Sequence, residues 1–84
     1  MAIKILLELA LQKRWVTDSH LHIQLGVYSN PIECTAYQMD LLVYEMLLAG
    51  AVQCKLKNDS RAIEFPTDLT QNSYLVRLPC TSKT

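Results

Sequence analysis

Helix starts and helix stops follow one another along this chain in a fixed order, and that order constrains the fold more than any single residue does. Residues 2–13 are apolar with helical spacing and predict a first helix. Arg14-Trp15-Val16 breaks it with β character. Thr17 or Asp18 then supplies an N-cap for a short helix through Leu25, and Gly26 suits the left-handed position that closes it. Asn30, Pro31 and Glu33 form a second start signal: an N-cap, a proline at the first helical position and the N3 carboxylate of a capping box. Gly50 is the stop, so the third helix is expected over 31–49.

Behind Gly50 the period changes from helical to alternating. Val52, Cys54 and Leu56 point one way along Ala51 to Lys57, and Gln53, Lys55 and Lys57 the other, as in a half-buried strand. Asn58-Asp59-Ser60 is turn material, and Arg61 to Phe65 is expected to return as the second strand of a hairpin with Ile63 and Phe65 inward. Pro66 ends it, 66–73 is a polar loop, and Tyr74 to Leu78 is β-prone, suited to a third strand or to covering an edge. The sum is an α+β domain over residues 1–78: a helix-turn-helix of three helices backed by a two- or three-stranded antiparallel β-hairpin, with 79–84 as a loose tail.

Two helices carry more apolar surface than one core needs. In the first, Lys4, Glu8 and Gln12 share one narrow polar stripe, and Ile3, Ile5, Leu6, Leu7, Leu9, Ala10 and Leu11 cover the rest. In the third, Ile32, Ala36, Met39, Leu42, Val43, Met46 and Leu47 form the core stripe. Opposite them Tyr37, Leu41, Tyr44 and Leu48 recur at four, three, four, the spacing of a coiled-coil seam, flanked by Glu33, Asp40, Glu45 and Gln38. Two readings stand side by side: these four pack under the C-terminal segment, or they are the interface of a homodimer or of a complex with a protein partner. Hydrophobic residues are 50% of the chain and charged ones only 19%, a balance that favours hidden apolar surface.

The formal net charge is +0, which shows no basic footprint for phosphate at the level of the whole chain. The third helix has no Lys or Arg. A DNA-binding alternative would rest on Asn30, Tyr37 and Gln38 at the start of that helix, with Lys55, Lys57 and Arg61 of the hairpin on phosphate.

Chemistry is weakly signalled. Cys34, Cys54 and Cys80 are odd in number with no CxxC, which reads as reduced thiols packed in a cytosolic protein. His20 and His22 lie two apart and diverge by about 200° on a helix, so one packed and one solvent-facing histidine is expected and no shared metal. There is no Gly-rich phosphate loop and no nucleophile–base pair. No enzyme activity, cofactor, metal or small-molecule substrate is therefore expected. Lys4 and Glu8 interrupt residues 3–11, and no apolar run reaches the roughly 20 residues of a membrane span, so neither targeting nor membrane insertion is expected.

The phrases Trp15-Val16-Thr17, Leu25-Gly26-Val27 and Leu48-Ala49-Gly50-Ala51-Val52 resemble the winged-helix superfamily in content and order. Within it, Lys13-Arg14-Trp15-Val16-Thr17 resembles the entry to the helix-turn-helix of the CaiF/GrlA-type enterobacterial activators, over about 25 residues. The likeness implies a winged-helix fold and transcription regulation. It does not extend to DNA-contacting residues, because that family has a basic recognition helix and Pro31 to Ala49 here has no basic residue. The expected function is a small regulatory module working through protein–protein contacts, with DNA binding as the alternative.

Overall fold

The computed structural model describes residues 1–27 and 35–79. The first helix, α1 (Ala2–Gln12), ends at Lys13, whose backbone turns left-handed at φ 57° and donates its N–H to the Leu9 carbonyl. Strand β1 (Val16–Thr17) follows, and Thr17 doubles as N-cap of α2 (Asp18–Gln24), its hydroxyl accepting the His20 N–H at 3.0 Å. Of the two cap candidates, Thr17 is the one used. Gly26, at φ +72°, lets the chain close α2 with bonds from Gly26 N–H to the Ile23 carbonyl and from Val27 N–H to the His22 carbonyl.

Helix α3 spans Ala36–Leu48, and its N-cap is Thr35. Thr35 Oγ1 accepts the Gln38 N–H, and the Gln38 side chain accepts the Thr35 N–H, a complete capping box. The helix is thus shorter at its front than the expected 31–49. Asn30, Pro31, Ile32, Glu33 and Cys34 lie outside the described residues. Its end repeats that of α2: Gly50 sits at φ +78°, Gly50 N–H meets the Leu47 carbonyl and Ala51 N–H the Met46 carbonyl.

Strand β2 (Gln53–Leu56) forms where the alternation placed it, but its partner differs from expectation. Residues 61–65 form no strand; β2 pairs antiparallel with β3 (Tyr74–Arg77). Strand β3 also pairs with β1, so the segment expected as a third strand or an edge cover is the central strand of a three-stranded antiparallel sheet ordered β1-β3-β2. The reason lies around Asp68. Its carboxylate accepts the N–H groups of Glu64 and Phe65 and holds the Arg61 guanidinium, which ties 61–68 into a local knot and leaves no free ladder. Pro66, read as a strand terminator, starts a fourth helix among the described residues, α4 (Pro66–Thr70). Phe65, expected inward, is exposed, while Leu69 of α4 is buried.

The core joins Ile5 and Leu9 of α1, Leu21 of α2, Met39, Val43 and Met46 of α3, and Leu69 of α4 to Val16, Leu56, Tyr74 and Val76 of the sheet. The arrangement is α+β, with helices on one face of the sheet and Thr17, Leu75, Arg77, Gln53 and Lys55 alternating onto the other. No helix among the described residues is long and apolar enough to cross a membrane.

Candidate interaction surfaces

Helix α1 is turned so that Glu8 and Gln12 of its polar stripe are half-buried while Lys4 is exposed. Glu8 Oε2 lies 2.7 Å from His20 Nε2 and accepts from Gln12 Nε2 at 2.9 Å. The bond to His20, and then that to Gln12, hold the Glu8 carboxyl below its ordinary range. Ile5 and Leu9 are buried in the core. The opposite side of the helix therefore presents Ile3, Leu7 and Leu11 to solvent, 72%, 65% and 74% exposed. Spaced i, i+4, i+8, they make one continuous ridge with Ala10 beside it.

The four seam residues of α3 do not share one environment. Tyr37 and Leu48 are exposed, while Leu41 and Tyr44 are half-buried. The Tyr44 ring packs on the core, and its hydroxyl donates to the Glu64 carbonyl at 2.8 Å. The middle of the stripe thus serves as a seat for the segment before α4, and its two ends face solvent.

The residues considered for DNA separate likewise. Asn30 lies outside the described residues. Tyr37 and Gln38 are exposed at the start of α3, but the Gln38 amide oxygen accepts the Thr35 N–H and so belongs to the cap. Arg61 is engaged by two carboxylates: Nε meets Asp59 Oδ2 at 3.0 Å, and its two terminal nitrogens meet Asp68 at 2.6 and 3.1 Å. The Arg61 guanidinium, followed by the Glu64 N–H, holds the Asp68 carboxyl well below the usual carboxylate range. Lys57 is exposed, and Lys55 reaches over the Trp15 ring with Nζ 4.5 Å from the ring centroid. Arg77, across the sheet from Trp15, places its guanidinium carbon 4.5 Å from the same ring, and its Nε donates to Gln53 Oε1 at 3.0 Å.

Inside, a polar trio spans three elements. Asp40 Oδ1 accepts the Tyr74 hydroxyl at 2.6 Å and lies 2.9 Å from His22 Nε2. All three side chains are buried. Burial, and next the bond to Asp40, push the Tyr74 phenol pKa up. The sequence places Asp40 at the flank of the seam, but on the α3 wheel it stands about 100° from Met39, close enough to the core boundary to turn in once a donor waits there. The two histidines of α2 diverge, with His22 packed in the core as expected, but His20 is half-buried against Glu8 and not solvent-facing. Among the described residues no three His, Cys, Asp or Glu side chains gather as a metal site. Cys54 is a free thiol, and burial pushes its pKa up to about 12.

Sequence reasoning named none of Trp15, Arg77, Lys13 or Arg14 as site residues, and it set Asp40 outside the core. The run Lys13-Arg14-Trp15 was a usable signal, two cations beside the one tryptophan; Arg77 joins them only through strand pairing. Compared with known proteins, the chain matches no family model, no curated protein and no solved structure.

Proposed function

We propose that this chain is a small cytosolic regulatory module of winged-helix type, acting through protein–protein contacts and assembling as a homodimer by its first helix. The winged-helix reading is supported by the resemblance at Trp15-Val16-Thr17 and Leu25-Gly26-Val27 together with the order α1, β1, α2, α3, β2, β3 and the central position of β3. On this reading β2 and β3 are the wing hairpin, with α4 inserted in the connection 57–73.

The observation that carries the interaction reading is the outward ridge Ile3-Leu7-Leu11. A lone helix in water turns its apolar side inward, yet α1 spends its polar Glu8 on an internal partner and exposes three large aliphatic side chains. A ridge at four-residue spacing packs against its own copy about a two-fold axis, Leu7 on Leu7 and Ile3 on Leu11, without opposing like charges, since Lys4 then faces Ala10. Six such side chains are worth on the order of 6–13 kcal/mol when covered. Association costs about 4–15 kcal/mol, so the dimer requires the upper part of the first range against the lower part of the second, which gives a dissociation constant of about a micromolar. The exposed ends of the α3 stripe, Tyr37 and Leu48, remain available to a regulatory partner.

Light scattering coupled to size exclusion tests this directly. The chain should run near twice 9.6 kDa at about 100 µM, and Leu7→Glu should return it to a folded monomer. A wild-type monomer at that concentration, or a Leu7→Glu variant that stays dimeric, rejects the α1 interface. The DNA-binding alternative, narrowed by the pairing of Arg61, is read from duplex binding on the same samples.

A further inference from the structure

We infer that the outer face of the sheet is a binding surface for single-stranded nucleic acid, with Trp15 as the stacking platform and Lys13, Arg14, Arg77, Lys55 and Lys57 as the phosphate track. The formal net charge is +0, yet part of the acidic half is taken up inside the protein. Glu8, Asp40 and Asp68 are turned into the protein or committed to internal partners, whereas Glu45 and Glu64 are exposed. The five cations converge on one side, and among the described residues none of them forms an ion pair.

The fold brings them together in a line. Lys13, Arg14 and Arg77 share a cleft of about 220 Å³ with the apolar Leu9, Ala10 and Leu78. Lys13 is the one non-glycine residue with positive φ among those described, so the chain reverses sharply there and passes from α1 straight to Trp15. Trp15 follows, with Arg77 and Lys55 each 4.5 Å from its ring centroid. Beyond Lys55, a shallow groove continues along Lys57 and Leu75. Asp59 at the far end of that groove is already paired with Arg61. Arg77 is fixed in place by Gln53 and the indole, and its remaining N–H groups make no hydrogen bond among the described residues. A guanidinium held this way and left with free donors suits a phosphate oxygen.

The choice of a single strand follows from shape. A helix or two-stranded ribbon can enter the major groove of a duplex, but the broad face of a sheet cannot. Unstacked bases have accessible π-faces. Lys55 and Arg77 both lie over the Trp15 ring, so a base stacks on the indole by displacing one of these cations onto its own phosphate. An anionic membrane would need an apolar side chain standing clear of the cations. Trp15 instead lies among them, half-buried.

Because Trp15 is the single tryptophan, its fluorescence reports on the platform itself. The full chain is titrated with a 15-nucleotide oligo(dT), with the matched duplex, and with phosphatidylserine vesicles. Oligo(dT) should quench Trp15 with a micromolar midpoint at low salt, and log K should fall against log salt with a slope of about −3.5 for five phosphates. The Lys13→Gln/Arg14→Gln double variant should flatten that slope by about 1.4. Trp15→Leu, followed by polarisation of labelled oligo(dT), should bind on the order of tenfold more weakly, and Trp15→Phe should bind nearly as the parent does. Should Trp15→Leu fail to fold, the exposed double variant still decides through the slope. Absence of oligo(dT) binding, binding without quenching, an unchanged slope, tighter binding to the duplex, or binding to vesicles in its place each overturns the inference.

Discussion

Replacing Tyr74 with phenylalanine isolates the buried trio, since the ring stays and only the hydroxyl leaves. Tyr74 is fully buried in the central strand, and its hydroxyl donates to Asp40 Oδ1 at 2.6 Å. A hydrogen bond to a charged partner contributes about 1.5–3 kcal/mol. The lower part of that range applies here, because Asp40 keeps its contact with His22 and is not left without a partner. The void of one oxygen adds about 0.3 kcal/mol at roughly 24 cal/mol per Å³. The variant should therefore lose about 2 kcal/mol, which lowers Tm by about 8–16 °C in a domain of this size. Tyr44→Phe is the internal control. Its hydroxyl makes a bond of similar length, 2.8 Å to the Glu64 carbonyl, in an exposed setting, and its loss should cost about 0.5 kcal/mol. Urea unfolding measures both, with the m-value expected to stay constant. If Tyr74→Phe and Tyr44→Phe differ by less than about 0.5 kcal/mol, burial is not what makes the Asp40 bond strong and the reasoning fails.

Two further outcomes concern pH. The Tyr74 phenol and the Cys54 thiol both have folded pKa values raised above their ordinary 10.0 and 9.0, so the folded state holds those protons more tightly than the unfolded one. Stability should be intact below pH 9 and fall as pH rises, through Cys54 between pH 9 and about 12 and through Tyr74 from about pH 10, and Cys54→Ala should remove the earlier part of the decline in a urea series. On the acid side the Asp68 and Glu8 carboxyls have lowered folded pKa values, so their contribution is present above their ordinary 3.8 and 4.5 and is lost as pH falls below them. Asp68→Asn should flatten the acid limb, and an acid limb identical to that of the parent would show that the Arg61 pair does not bear on stability.

The first helix shows how little its composition says about its orientation. Residues 2–12 are apolar around most of the circumference, so nothing local decides which side meets the core. His20 bears on it: Glu8 meets α2, which sets Glu8 and Gln12 against the protein, leaves Lys4 exposed and turns Ile3, Leu7 and Leu11 out. The same holds for the α3 stripe, whose even spacing conceals that Tyr44 has a carbonyl to reach and Tyr37 has none among the described residues.

What the sequence by itself determined is what neighbours along the chain decide. Thr17 caps α2, Gly26 and Gly50 close two helices in the left-handed region, and the alternation over 53–56 makes a strand, because each depends on residues within about four positions. Tertiary structure alone decided which strand β2 would meet. Residues 61–65 were the nearer candidate, but Asp68 took the N–H groups of Glu64 and Phe65 and Asp59 that of Arg61, and the ladder passed to Tyr74–Arg77. That pairing put Arg77 beside Trp15, and the packing of α3 on β3 put Asp40 beside Tyr74. A charge or a hydroxyl acquires its role from what lies across a sheet or a core, and sequence separations of 34 and 62 residues carry no periodic trace of such meetings.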